Sequence, residues 1–140
     1  MARALLLSLD VVGPAIKLPG RVLVAEDDAQ MRALVVDALR SEGFAVDEVA
    51  DGRRMWAITV HCETYDLIVS DLRLPIVDGL TVLEDLLKRS PGTRVILMTA
   101  FGDDATRERA LRLGAVFLDK PFQMRELRAA ARRLCDLAGI

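Results

Sequence analysis

This chain is poor in the side chains that most often carry chemistry. It has one histidine, His61, and two cysteines, Cys62 and Cys135. A single histidine excludes a histidine metal cluster and leaves none to spare for a Ser-His-Asp triad; His61 is expected at a solvated helix end. The cysteines lie far apart with no metal-type spacing and are expected as reduced thiols in helices. Aromatic residues make up 4% of the chain, and aliphatic residues and alanine dominate. A surplus of either charge is also missing. Nineteen basic residues against 21 acidic ones leave a net charge of -2, which gives neither a basic field for nucleic acid nor a polybasic membrane signal. No segment approaches the ~20 apolar residues of a membrane span. Leu5 to Leu7 begin like a signal sequence, but Asp10 breaks the run and no small-residue cleavage site follows, so a cytoplasmic location is expected. The glycines match no dinucleotide or P-loop pattern.

What the sequence does have is short apolar runs that end in acids. Residues 1–20 read as an N-terminal extension punctuated by Gly13-Pro14 and Pro19-Gly20, and 21–140 as one domain. A chain of 140 residues buries roughly two-thirds of its unfolded surface without staples. The most informative stretch is Tyr65 to Gly79. Leu67, Ile68 and Val69 form an uninterrupted, β-branched run of the kind that makes a fully buried strand. It ends at Ser70 and Asp71, and Pro75 and Gly79 then mark a loop.

The same phrase recurs along the chain. Arg21 to Ala25 is a strand-length run ending in Glu26, Asp27 and Asp28. Asp28 is also a good N-cap for a helix over about 29–42, with Met31, Leu34, Val35, Ala38 and Leu39 at helical spacing and Gly43 as its stop. Val36 falls off that stripe and reads as exposed. Phe44 to Val49 is a second strand. Asp51-Gly52 opens a second helix containing Met55, Trp56, Ile58 and Val60, with Trp56 expected to pack. Asp78 caps a third helix, with Leu80, Leu83, Leu86 and Leu87 as its apolar side, and Ser90-Pro91-Gly92 ends it. Arg94 to Met98 is a fourth strand, followed by Thr99. A fourth helix starts at Gly102-Asp103-Asp104 and stops at Gly114. Ala115 to Leu118 is a fifth strand, followed by Asp119-Lys120-Pro121 and a last helix over about 124–137. Five β-α units in sequence demand parallel strands with right-handed crossovers, an α/β doubly wound sheet flanked by helices on both faces.

Parallel pairing puts all the strand ends on one edge of the sheet, where open α/β sheets bind ligands. Asp27, Asp28, Asp71, Thr99 and Lys120 therefore converge. Taken singly, Asp28 and Asp78 read as helix caps and Lys120 as a surface residue. All of them sit at strand ends, with no acid inside the buried runs that precede them. At about 4 Å and an effective dielectric of about 20, each carboxylate pair costs on the order of 4 kcal/mol. A cation is therefore expected among them. An all-oxygen site suits a hard one, and Mg²⁺ is the choice because it binds through one or two carboxylates, waters and phosphate. Lys120 supplies a point charge for Asp71 or for a phosphoryl oxygen.

The motifs VLVAEDD (22–28), YDLIVSDLRLP (65–75), DG (78–79), VILMTA (95–100) and GAVFLDKPF (114–122) closely resemble the receiver domain of bacterial two-component response regulators. The resemblance covers about 21–137. It implies the flavodoxin-like strand order 2-1-3-4-5. It implies that Asp71 accepts a phosphoryl group from a sensor histidine kinase or phosphotransfer protein. Asp27 and Asp28 match the acidic pair that holds Mg²⁺, with Asp28 as the more direct ligand, and Arg73 matches the position whose backbone carbonyl also binds the metal. Thr99 matches the switch hydroxyl, Phe117 the switch aromatic and Lys120 the site lysine. Lys120-Pro121 matches a bond that is typically cis. Glu26 stands where the family often has Asp and is expected to be peripheral. Arg73 and Phe101 stand two residues after Asp71 and Thr99, and the resemblance implies that these positions flank the pocket and tune dephosphorylation. The first helix, with Val36, is the expected docking surface for the histidine donor. The surface of helix four, strand five and helix five is expected to switch and to control a partner, an output domain or homodimerisation. Arg125, Arg128 and Arg132 read either as a solvated basic face or as a docking face for acids such as Asp103, Asp104 or Glu108.

No separate catalytic turnover is expected beyond the domain's own phosphorylation and dephosphorylation. Two alternatives bound this reading. A degenerate, phosphorylation-independent module lacks an acceptor, a metal acid or the lysine, and here all are present. A Mg²⁺-dependent phosphohydrolase commonly shows Asp-x-Asp, and Asp71-Leu72-Arg73 lacks the second acid. The last predicted helix ends near the last residue, so a stand-alone regulator and a fragment of a longer transcription activator are both expected forms.

Overall fold

A computed structural model of the chain describes residues 20–61, 65–100 and 103–138. Residues 1–19, Cys62 and Phe101 lie outside them. The elements run β1 Arg21–Ala25, α1 Ala29–Ser41, β2 Ala45–Val49, α2 Gly52–His61, β3 Leu67–Asp71, α3 Gly79–Arg89, β4 Arg94–Thr99, α4 Asp104–Arg112, β5 Val116–Asp119 and α5 Met124–Ala138. Five parallel strands form one sheet in the order 2-1-3-4-5. The chain reverses its winding between β1 and β3, so a crevice opens at their carboxyl ends.

Strand alternation divides the core into two layers. Val22, Val24, Leu67, Val69, Ile96 and Met98 face α1 and α5, where Val35, Leu39, Leu127 and Ala131 meet them. Leu23, Ala25, Ile68 and Leu97 face the other side, with Met55, Leu80, Leu83 and Ala110. β1 and β3 are therefore apolar on both faces, and Val22–Ala25 and Leu67–Val69 are all 0% exposed.

The helix boundaries follow local chemistry. Asp28, Asp78 and Asp103 are N-caps, each accepting from backbone N–H groups in the first turn. Gly43 and Gly114 sit at φ of 94° and 76° after α1 and α4, a backbone region glycine enters at no steric cost. No helix among the described residues is long and apolar enough to cross a membrane.

Three expectations about side chains change. Val36 is 2% exposed and belongs to the core, whereas Leu34 is 55% exposed. The cause is that α1 packs against both the sheet and α5, so its buried arc is wider than one stripe and is rotated toward Val36. Trp56 is 48% exposed and does not pack inside; Met55 and Thr59 turn inward from α2 instead. Asp71 and Thr99 are the last residues of β3 and β4 rather than the first beyond them, and β2 and β5 each begin one residue later than expected. His61 ends α2 exposed and Cys135 is a free thiol in α5, both as expected.

Candidate functional site

The carboxyl ends of β1, β3 and β4, with the turn after β5, meet at one point. Glu26 continues β1 by one residue, its N–H donating to Val49 O at 3.1 Å. Its carboxylate lies at the centre of the site. Glu26 is 0% exposed, and its Oε1 accepts from Lys120 Nζ at 2.7 Å. Glu26 is thus not peripheral. The extra methylene lets the carboxylate reach the lysine while the backbone stays in the sheet. Its Oε2 also accepts the Asp28 N–H at 3.2 Å.

Lys120 bridges two acids, because its Nζ also donates to Asp71 Oδ2 at 2.9 Å. Its own N–H is fixed by Thr99 O at 2.7 Å, and the Lys120-Pro121 bond is cis. On the other side of Asp71, Oδ1 accepts the Arg73 N–H at 3.0 Å. Glu26, Asp27 and Asp71 offer carboxylate oxygens that all lie within 4.8 Å of one another. Asp27 is the exposed member.

The structure does not bring Asp28 into this cluster. Its Oδ1 accepts from the N–H groups of Gln30 at 2.9 Å and Met31 at 3.2 Å. A carboxylate turned into the start of α1 is occupied as a cap and faces away from the strand ends. Of the three consecutive acids, Glu26 and Asp27 are the two that lie in the cluster.

Charge in the cluster does not balance. Three carboxylates stand against one ammonium group, which leaves two negative charges over. Burial pushes the Glu26 carboxyl above its ordinary value, helped by the charge of Asp71 and opposed by the hydrogen bonds from Lys120 and Asp28. Burial works against the Lys120 ammonium, yet the hydrogen bonds to Glu26 and Asp71 outweigh it and raise its pKa.

The other expected residues fall around this centre. Thr99 is 3% exposed and pairs in register with Asp119, while Phe117 pairs with Leu97. Phe117 is half-buried on the α2–α4 face. Arg73 is exposed at the mouth. Arg132 does not meet the acids of α4: it pairs with Glu42 after α1, while Asp103 caps α4. Two arginines escaped the sequence reading. Arg32 of α1 donates to Glu26 O at 2.9 Å and to Glu48 at 3.1 Å, tying down the backbone that carries the acidic pair. Arg107 of α4 lies over the Phe117 ring at 4.5 Å. The only available signal was a basic residue at helical spacing, which is common on any exposed face.

Comparison with known proteins is consistent across sequence and structure. The response regulator receiver domain family matches residues 22–132. Among curated proteins, the transcriptional regulatory protein TcrA of Mycobacterium tuberculosis is 43% identical over 115 residues, covering 81% of this chain and 45% of TcrA. TctD of Salmonella typhimurium, also a transcriptional regulatory protein, is 41% identical over 115 residues, covering 81% of this chain and 51% of TctD. The chain thus spans about half the length of these relatives. Among solved structures, a CheY-like response regulator receiver domain protein from Methanospirillum hungatei superposes with a TM-score of 0.81 at 26% identity, covering 88% of this chain and 98% of that one.

Proposed function

The chain belongs to the response regulator receiver domain family of two-component signalling proteins, and on that premise we propose that Asp71 accepts a phosphoryl group from a phosphorylated histidine of a sensor kinase or phosphotransfer protein. The observation that carries this reading is the Lys120 ammonium bridging Asp71 and buried Glu26 inside a cluster with two surplus negative charges. A carboxylate held this way is a poised nucleophile. The N–P bond of the donor breaks as a bond forms to an Asp71 oxygen. Catalysis is positioning and electrostatics.

The donor set fits Mg²⁺. It is all oxygen, part buried and part open, and its net charge matches a divalent ion. Glu26, Asp27 and Asp71, with the backbone carbonyl of Arg73, are the residues to hold it. When bound, the ion neutralises charge on the acceptor and on the transferring group. Lys120 then offers its ammonium to a phosphoryl oxygen. The Thr99 hydroxyl donates to another, and Phe117 turns into the space that Thr99 leaves. Moving a two-state equilibrium from mostly off to mostly on takes about 5.5 kcal/mol of differential interaction, within reach of a dianion that gains charge-assisted hydrogen bonds.

The surface of α4, β5 and α5 carries the signal to an output domain, a separate effector or a second copy of the chain. Leu34, exposed on α1, takes the place first given to Val36 in docking the histidine donor. The receiver occupies 21–140, residues 1–20 precede it as an extension, and the protein works in the cytoplasm. The relatives' names support a transcriptional output, with no direct nucleic-acid contact by this domain. The test is intact mass after incubation with a small phosphodonor. The expected result is one phosphoryl group gained only with Mg²⁺ and not by Asp71→Ala. No adduct on folded wild-type protein would overturn the reading.

A further inference from the structure

α4 is the most weakly seated helix of the fold. Among its described residues only Ala110 is buried, whereas α1 and α3 bury four and five. An element with so little apolar burial lies at the low end of local stability. Two arginines hold it instead, on opposite sides. Arg109 pairs with Glu84 of α3. Arg107 reaches across to β5, with its guanidinium 4.5 Å from the centre of the Phe117 ring and NH1 3.3 Å from Asp119 Oδ1.

The residues that Arg107 grips are well placed. Among the described residues β5 lies at the edge of the sheet and pairs with β4. Asp119 is the register partner of Thr99 and immediately precedes Lys120. Phe117 lies two residues before it, on the same face of the strand. One guanidinium therefore touches the strand that leads directly into the lysine, beside the strand that carries the hydroxyl. In this arrangement Lys120 donates to both Glu26 and Asp71, and the Arg107 contacts accompany it.

We propose that Arg107 is a clamp that holds α4 onto β5 through Phe117 and Asp119 in the resting protein, and that its release is the step by which charge gained at Asp71 reaches the α4 surface. The proposal rests on the reading of Asp71 as phospho-acceptor and Phe117 as switch. A ring turning inward leaves the guanidinium without its face. The ion pair with Asp119, whose side chain is 70% exposed, is too weak alone to hold this side of α4 against β5, and α4 is left pinned on its α3 side by Arg109.

The test uses the full chain, with Mg²⁺ and beryllofluoride as the activating probe and amide exchange as the second readout. Arg107→Ala is expected to speed exchange across 104–112 about threefold, the scale of one exposed cation–π contact, while α1 and α3 are unchanged. It is also expected to lower the beryllofluoride concentration for half-activation by a similar factor. Arg107→Lys keeps the charge but loses the flat stack, and is expected between wild type and alanine. A merely structural role would shift the melting temperature and leave the beryllofluoride midpoint alone. Unchanged exchange and midpoint in Arg107→Ala, with a normal wild-type adduct, would overturn the clamp by itself. A wild type that binds no beryllofluoride would instead remove the reading beneath it.

Discussion

The two ends of the sheet handle charge in opposite ways. Near the amino ends of β1, β2 and β3, every described carboxylate has a donor. Asp47 accepts from Tyr65 OH at 2.7 Å and from Arg21 at 2.9 Å, Arg21 lies over the Tyr65 ring at 5.1 Å, and Asp66 accepts the Arg21 N–H at 2.8 Å. At the carboxyl ends, Glu26 and Asp71 share one lysine, and Asp27 joins their cluster as a third carboxylate. Both clusters sit on the same sheet, so fold alone does not explain the difference. The balanced end holds strands together. The unbalanced end stores repulsion that a cation and a phosphoryl group can relieve, and functional sites are where such local conflict is kept.

Removing a donor from each end sharpens the contrast. The largest effect is expected for Lys120→Ala, which leaves Glu26 buried without a counter-charge and costs about 3 kcal/mol, read as the urea midpoint. Lys120→Met combined with Glu26→Gln is expected to recover most of that loss, because both buried charges then go together. Next comes Tyr65→Phe, which removes one hydrogen bond at the balanced end and lowers stability by about 1 kcal/mol. Asp27→Asn is expected to have the opposite sign. Without added metal it relieves repulsion and raises stability by roughly 0.5 kcal/mol. Equal losses from neutralising acids at both ends would break the comparison.

The smallest effect is in the pH dependence, and its two limbs have opposite slopes. The Asp47 carboxyl is held below its ordinary value of 3.8, chiefly by the Tyr65 hydroxyl and then by Arg21. Its contribution is present above that value and is lost as pH falls through the lower folded value. Glu26 is raised above its ordinary 4.5 by burial. Its contribution is present below that value and is lost as pH rises through the higher folded one. Asp47→Asn is therefore expected to flatten the acid limb of a stability–pH curve, and Glu26→Gln to flatten the limb above it. Thermal melts between these variants and wild type give both readings.

Much of this was legible in the sequence, for a physical reason. Buried parallel strands read as continuous apolar runs, and the polar residues that close each run mark the shared edge. Asp71, Thr99 and Lys120 were placed by that rule, and the caps at Asp28 and Asp78 by side-chain chemistry. The rule weakens where a run ends in several acids. Glu26, Asp27 and Asp28 follow one another, and only the backbone's turn from sheet to helix decides that Glu26 points in and Asp28 caps. Val36 and Leu34 were exchanged because a single helical stripe assumes one neighbour, and α1 has two. Trp56 misled because size favours burial only where a pocket exists. Arg107 and Arg32 were invisible, since their partners lie on other elements.

The most direct test of the charge imbalance is Mg²⁺ binding followed by titration calorimetry on wild type, Asp27→Asn and Asp28→Asn. One Mg²⁺ bound by wild type and by Asp28→Asn, with binding lost or at least tenfold weaker in Asp27→Asn, is the predicted result. Loss in Asp28→Asn with Asp27→Asn unaffected, or no binding by wild type, would contradict it.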